Sequence, residues 1–144
     1  MTPPRYLTET FAVSPQISLE DLEDLKSQGF KTIVCNRPDN EIPADINAEA
    51  MEKACDAAGL TFVLNPLSHG SLTVDHIDIQ RDAAHSDGPV LAYCASGNRS
   101  SILWGLAVAG EYSTEEILSR TAKAGYNLNG LAPQLDAMAA QAQA

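Results

Sequence analysis

The sequence predicts an α/β fold, a single-domain three-layer sandwich over residues 1–144 in which helices cover both faces of a mainly parallel sheet. Three observations lead to this prediction. Short apolar runs alternate along the chain with segments of helical periodicity, as in βα units. Turn-forming and helix-capping residues separate these segments. No internal repeat or change of composition marks a second domain, and 144 residues are enough to bury a core.

Two helices and two strands are predicted in the first half of the chain. Ser18 precedes leucines at helical spacing and is placed to cap the first helix. The run KTIVCN, residues 31–36, has the length and composition of a buried strand. Asp45 is placed to cap a second helix over residues 46–58, and the strand LTFVLNP follows at residues 60–66.

The second half of the chain repeats this alternation. Thr73 is placed to cap a helix, and the apolar strand VLAYC follows at residues 90–94. Another helix is predicted to begin near Arg99. Ser113 opens the next helix with a capping box, and a last helix is predicted to follow Pro133 into an Ala/Gln-rich tail.

The charge balance restricts the classes of partner. Nine Lys and Arg residues against nineteen Asp and Glu residues give a net charge of −10, which opposes binding to nucleic acid or to an anionic membrane. Neither a signal-peptide pattern nor an apolar run of about 18 residues is found. Three cysteines in a chain too large to need disulfides favour a reducing compartment, so the expected location is the cytoplasm.

The strongest functional signal is the segment VLAYCASGNRSS, in which Cys94 ends a strand and Arg99 lies near the start of a helix. Ligands of parallel sheets bind beyond the carboxyl ends of the strands. Backbone amides of a small-residue loop, together with a helix N-terminus, form a cradle for oxyanions. We refer to the four residues between Cys94 and Arg99 as the cradle loop: Ala95, Ser96, Gly97 and Asn98.

This arrangement favours Cys94 as a nucleophile. The donors that hold an oxyanion also stabilise a thiolate at the edge of the cradle. Ser100 is placed to donate a further hydrogen bond to the sulfur, and the planar guanidinium of Arg99 binds two oxygens at once. The alternative is an inert cysteine that closes a core strand.

Two other loops carry candidate site residues. NRPDNE leaves a strand parallel to the Cys94 strand and is expected at the same edge of the sheet. Within it, Asp39 is either the acid that protonates a leaving oxygen or a turn former. Arg37 and Glu41 share this loop, and either they line the rim of the substrate pocket or they pair with each other on the surface. His69, on the loop after the next strand, is either an acid or substrate contact or a loop histidine without a role.

The remaining cysteines and histidines do not indicate a metal site. No two of them have the spacing of zinc ligands, and no motif indicates a cofactor, so neither is expected. Cys55 lies among alanines on a predicted helix and is assigned to the core. Cys35 closes the strand expected beside the Cys94 strand, and a reversible disulfide between the two is a hypothesis.

The motifs support a family assignment by resemblance. C-x-x-G-x-R-S after an apolar strand resembles the active loops of cysteine-dependent phosphatases and of rhodanese-type sulfurtransferases. KTIVCNRPDNE, GPVLAYCASGNRSSILW and AGYNL, in this order and spacing, resemble the bacterial phosphatase-like family DUF442, also found fused to metallo-β-lactamase-type hydrolases. The similarity runs from Ala12 to Leu135.

The resemblance implies a tyrosine-phosphatase-like fold of the dual-specificity type, with Cys94 as nucleophile and Arg99 as oxyanion clamp. It also implies a phosphate- or sulfate-like substrate and a functional link to a metallo-β-lactamase-type hydrolase. The cradle loop departs from the phosphatase pattern, because phosphatases place five residues between cysteine and arginine. Four residues, as found here, are usual in rhodaneses, in which the cysteine carries a persulfide.

Three functions therefore remain open from the sequence. The leading hypothesis is a cysteine-dependent phosphatase-like hydrolase in which the Cys94 thiolate attacks a phosphate ester held by the loop amides and Arg99. The first alternative is a rhodanese-type sulfurtransferase with a Cys94 persulfide. The second alternative is a non-catalytic domain that binds an oxyanion or a partner protein.

Overall fold

The computed structural model describes residues 2–142. Its sheet has five strands in the order β1-β2-β5-β3-β4. Their bounds are Arg5–Tyr6 (β1), Phe11–Ser14 (β2), Thr32–Cys35 (β3), Thr61–Leu64 (β4) and Val90–Tyr93 (β5). Only β1 is antiparallel to its neighbour, and the three other pairings are parallel. The prediction of a mainly parallel sheet is confirmed, whereas β1 and β2 were not predicted.

Six α-helices cover the sheet within residues 2–142. Their bounds are Asp21–Ser27 (α1), Ala48–Ala58 (α2), Val74–Ala84 (α3), Asn98–Val108 (α4), Thr114–Lys123 (α5) and Ala132–Ala142 (α6). Alternate residues of the central strands face opposite layers, as the period of a strand requires. Val34 and Ala92 pack in a core cluster with residues of α3 to α6, and Ile33 and Leu91 pack in a second cluster with residues of α1 and α2. This arrangement confirms the three-layer prediction.

Two predicted helix starts were wrong. Asn47, and not Asp45, caps α2, since the Asn47 side chain accepts a hydrogen bond from the amide of Ala50 at 2.9 Å. Residues 44–46 form a 3₁₀ turn before it. At α1, Ser18 does not act as the cap. Its own amide donates to Asp21 Oδ2 at 2.9 Å, and the helix begins at Asp21.

Three buried amide side chains connect the carboxyl ends of β3 and β4 to α3. Gln80 Oε1 accepts hydrogen bonds from Nδ2 of Asn36 and Nδ2 of Asn65, both at 2.9 Å, and Gln80 Nε2 donates to Asn36 Oδ1 at 3.0 Å. Asn36 and Asn65 are the first residues after their strands. The network therefore fixes where two loops leave the sheet, and both loops contribute to the site described below.

Removing the centre of this network is expected to destabilise the fold. Gln80→Ala leaves the side chains of Asn36 and Asn65 without their buried partner, so the free energy of unfolding should fall by about 2 to 4 kcal/mol. Urea unfolding measures this loss. Ile79→Ala, at a neighbouring position that is 38% exposed, is the control and should cost less than about 1 kcal/mol. Equal losses in the two variants would contradict a structural role of the network.

Candidate active site

The cradle loop connects β5 to α4 and turns a backbone donor towards Cys94. Gly97 has a φ of +97°, in the left-handed region that glycine adopts readily. Its amide donates a hydrogen bond to Cys94 Sγ at 3.1 Å. Cys94 is fully buried, while Ala95, Ser96 and Asn98 are exposed. The sulfur thus lies behind the loop and not at its edge, and the amide aimed at it distinguishes Cys94 from a cysteine with only apolar neighbours.

The loop and the first turn of α4 also leave backbone donors free. Within residues 2–142, no backbone carbonyl accepts from the amides of four residues, Ala95, Ser96, Arg99 and Ser100. The amide of Asn98 is used locally, because it donates to Ser96 Oγ at 3.2 Å. The Ser100 hydroxyl is buried and finds no partner among the described residues, so the expected hydrogen bond from Ser100 to the Cys94 sulfur is not formed. Free amides at the N-terminus of an 11-residue helix favour an anion.

Arg99 is buried and holds its guanidinium through three hydrogen bonds. Nη1 and Nη2 donate to the two carboxylate oxygens of Glu41 at 2.9 and 2.8 Å, and Nη1 also donates to the Leu67 carbonyl at 2.8 Å. A guanidinium has five N–H groups. The two not used in these bonds, on Nε and Nη2, lie in the guanidinium plane along one edge and form a second fork. This second fork is what Arg99 offers to an oxyanion.

Two neighbouring side chains, Glu41 and Cys94, raise the pKa of Arg99. The hydrogen bonds to Glu41 are the main reason that the pKa of Arg99 is raised. Burial opposes this effect, and the nearby Cys94 sulfur adds to it. In return, the hydrogen bonds from Arg99 lower the pKa of the Glu41 carboxyl. This pairing keeps the Arg99 guanidinium charged and fixes its orientation.

Glu41 contributes to the site by binding Arg99, a contact that the sequence analysis did not predict. Arg37 braces it, since Arg37 Nε lies 3.3 Å from Glu41 Oε1 and Nη2 donates to the Glu41 carbonyl at 3.1 Å. Arg37 Nη1 donates to Gln16 Oε1 at 3.2 Å. The alternative in which Arg37 pairs with Glu41 is confirmed, and a substrate contact of Arg37 stays a prediction. The i,i+4 spacing of this pair was the available sequence signal.

Asp39 contacts the start of α2, whereas His69 lines a cavity beside Arg99. Asp39 Oδ1 accepts a hydrogen bond from the amide of Ala48, the first residue of α2, at 2.8 Å. This contact is structural, and the role of Asp39 as a general acid stays a prediction. His69 lies on the loop after β4. Together with Arg99 it lines a cavity of about 190 Å³.

Tyr126, in the AGYNL segment, holds the cradle loop from the side of α5. Its hydroxyl donates to the Ser96 carbonyl at 2.9 Å, and the Arg5 guanidinium lies 5.2 Å from its ring centroid. A Cβ on Gly97 would lie 2.1 Å from the Tyr126 hydroxyl oxygen. The sequence analysis included Tyr126 only in a family motif, because no local spacing relates it to a loop 30 residues away.

The cysteines are all free thiols. Cys35 Sγ donates to the Arg37 carbonyl at 3.3 Å, and burial raises the pKa of this thiol. The residue of β5 that pairs with Cys35 is Tyr93, which directly precedes Cys94. A reversible disulfide between Cys35 and Cys94 stays a hypothesis. Cys55 is buried, as assigned, and burial raises its pKa to about 12.

Residues 2–142 contain neither a metal-binding cluster nor a helix that could span a membrane. No group of three or more His, Cys, Asp or Glu side chains is arranged to hold a metal ion. None of the helices in this part of the chain combines the length and apolar character needed to cross a bilayer.

Comparison with known proteins identifies the family. Residues 4–111 match the phosphatase-like domain of beta-lactamase hydrolase-like proteins. The chain belongs to this family. A beta-lactamase hydrolase-like protein of Agrobacterium fabrum is 33% identical over 104 residues, which are 72% of this chain and 24% of that protein. The chain spans between 24% and 32% of the length of the curated relatives it matches.

Solved structures place this phosphatase-like domain in its fold. A Neisseria meningitidis Z2491 protein, provisionally named a phosphatase, has a TM-score of 0.78 and 34% identity, covering 92% of this chain and 96% of its own. Tk-PTP in its active form has a TM-score of 0.72 at 18% identity, covering 96% and 97%. The expected tyrosine-phosphatase-like α/β fold is confirmed. Family and fold together support a phosphatase-like function.

Gly97→Ala is expected to damage the site. The added Cβ meets the Tyr126 hydroxyl and the positive φ becomes strained, so the loop must shift. Isothermal titration with inorganic phosphate should show binding weakened by at least about tenfold. Gly29→Ala is the matched control, because Gly29 has a φ of +102° with nothing within 4 Å of the added Cβ. Phosphate affinity unchanged in Gly97→Ala would contradict the role of the loop.

The Arg99–Glu41 pair is expected to make stability depend on pH. Because the pKa of Glu41 is lowered by folding, its contribution is complete above the ordinary value of 4.5 and is lost as the pH falls through the lowered value. Glu41→Gln should lower Tm by about 3 to 6 °C at pH 7, and by less below pH 4.5.

Glu49→Gln is the control for this measurement, since the Glu49–Lys53 pair is exposed and should contribute little at either pH. A Tm difference between wild type and Glu41→Gln that grows on acidification would contradict the assigned sign.

Proposed function

We propose that the chain is a cysteine-dependent phosphatase-like hydrolase with Cys94 as its nucleophile. The observation that carries this proposal is the arrangement of donors around one sulfur. The Gly97 amide points at Cys94 Sγ, free amides follow at the start of α4, and the second fork of Arg99 is held in place by Glu41. These are the parts needed to bind a tetrahedral oxyanion next to a nucleophile.

The reaction proceeds in two balanced steps. In the first, the Cys94 thiolate attacks phosphorus, an S–P bond forms, and the ester P–O bond breaks as the leaving oxygen takes a proton. In the second, water attacks phosphorus and returns a proton to the group that protonated the leaving oxygen, the S–P bond breaks, and phosphate leaves with the thiolate restored. The loop amides and Arg99 hold the equatorial oxygens, on which charge is greatest in both transition states.

The proton for the leaving oxygen needs a donor. Asp39 was the first candidate from the sequence, but its carboxylate accepts the amide of Ala48. His69 lines a cavity together with Arg99, which supports His69 as the alternative donor. An imidazole ring can carry a proton on a ring nitrogen and donate it to a leaving oxygen within hydrogen-bond reach.

Sulfur transfer is the second candidate, favoured by the four-residue cradle loop and by the structural use of Asp39. The Cys94 thiolate would attack the outer sulfur of thiosulfate, forming an S–S bond and releasing sulfite as the S–S bond of thiosulfate breaks. The persulfide sulfur would then pass to an acceptor thiolate, restoring Cys94. Neither step protonates a leaving oxygen, so no acid corresponding to Asp39 is required.

A non-catalytic role is the third candidate. The curated relatives are longer proteins named beta-lactamase hydrolase-like, and this chain matches about a quarter to a third of them. We propose a functional link to a metallo-β-lactamase-type hydrolase on this basis. In that role the cradle would bind an oxyanion without turning it over.

One set of measurements separates the three candidates. p-Nitrophenyl phosphate hydrolysis and intact mass after thiosulfate treatment are measured on wild type, Cys94→Ser and, as a control buried thiol, Cys55→Ala. Hydrolysis that falls by about 10³-fold in Cys94→Ser and stays within about threefold in Cys55→Ala supports the hydrolase. A gain of one sulfur atom without hydrolysis supports transfer. Full turnover in Cys94→Ser would rule out both enzymatic candidates.

A further inference from the structure

The cavity of about 190 Å³ shares a side chain with the oxyanion site. Arg99 lines it, and Ile102, one turn further along α4, forms part of the same wall. The opposite wall comes from the loop after β4, and Leu67 of that loop accepts a hydrogen bond from Arg99 through its carbonyl. A substituent on an oxyanion held by Arg99 would therefore be next to this cavity.

The chemistry of the walls favours an apolar occupant. Leu67, Leu72 and Ile102 supply aliphatic side chains. Leu72 is 44% exposed, so a ligand that covers it removes apolar surface from water. Among the lining residues the structure describes, Arg99 is the only permanent cation, and Glu41 already balances its charge. A second anionic group would find no partner here, in a chain of net charge −10.

The volume limits the size of the occupant. A protein cavity of about 150 Å³ lined by Leu, Ile and Phe side chains holds one benzene molecule. The cavity beside Arg99, at about 190 Å³, is slightly larger. It therefore has room for one six-membered ring or a branched alkyl group of that size.

We propose that this cavity is a substrate subsite for one compact, uncharged, apolar group attached to the oxyanion, and that Leu72 and Ile102 determine this specificity. A second anionic group, as in a polyphosphate, is disfavoured there. The inference rests on the oxyanion site of the proposed function. It applies to phosphoryl transfer, in which the ester carries an organic group beside the oxyanion, whereas thiosulfate carries none.

Non-hydrolysable phosphonates test the subsite on the unaltered protein. Isothermal titration compares methylphosphonate, phenylphosphonate and cyclohexylphosphonate at a pH where all three are dianions. Phenylphosphonate should bind about tenfold more tightly than methylphosphonate, equivalent to about 1.4 kcal/mol. Cyclohexylphosphonate should bind within about threefold of phenylphosphonate, since the walls provide apolar contact without aromatic stacking.

Two matched substitutions test whether the cavity walls cause the preference for phenylphosphonate over methylphosphonate. Leu72→Asn replaces an apolar wall residue without changing charge, and should reduce the tenfold preference for phenylphosphonate over methylphosphonate below about threefold. Val74→Asn is the control, because Val74 is 69% exposed and is not part of the cavity lining. The preference should stay near tenfold in this variant.

The outcomes distinguish the subsite from the oxyanion site. Equal affinities for phenylphosphonate and methylphosphonate would overturn the subsite and leave the proposed function standing. Equal losses of preference in Leu72→Asn and Val74→Asn would overturn the assignment of the cavity. Failure of all three phosphonates and of inorganic phosphate to bind would overturn the oxyanion site itself, and the subsite with it.

Discussion

The paired fork between Arg99 and Glu41 is the interaction on which the site depends. A buried guanidinium without a partner is costly, and the Glu41 carboxylate removes that cost by accepting two of its hydrogen bonds. The same pairing fixes the plane of the guanidinium and leaves one fork open. Because Glu41 balances the charge of Arg99, the anion binding that we propose depends mainly on peptide dipoles and aligned donors, and not on net positive charge.

The position of Glu41 depends in turn on the sheet. The parallel pairing of β3 with β5 brings the loop after Cys35 to the same edge as Cys94. Asn36 is held by Gln80 at the start of this loop, and Arg37 connects its end to Gln16. Loops from three strands and the α5–α6 connection therefore converge on one sulfur. Each is fixed by polar contacts at its base, so the site is arranged before a substrate arrives.

The site features predicted from the sequence involve residues that are adjacent in the chain, whereas the features that were missed involve residues far apart in the chain. Cys94, Gly97 and Arg99 are adjacent in the chain, so one strand–loop–helix pattern was enough to place them together. Glu41 contacts Arg99 across 58 residues, and no periodicity reports such a pair. The start of α2 was misplaced because a 3₁₀ turn precedes it, and the buried Gln80 was missed because α3 exposes the apolar Val74 and Ile79 instead.

The demand for a proton, more than the length of the loop, separates the two chemistries considered for this site. The shorter loop loses the amide of Asn98 to Ser96, but the amides of Ala95, Ser96, Arg99 and Ser100 remain free of backbone acceptors within residues 2–142. With the open fork of Arg99 they provide enough donors for three equatorial oxygens. Loop length therefore leaves phosphoryl transfer feasible. A phosphate ester with a poor leaving group requires an acid, whereas thiosulfate expels sulfite without one, so the group that faces the leaving atom decides which reaction the sulfur performs.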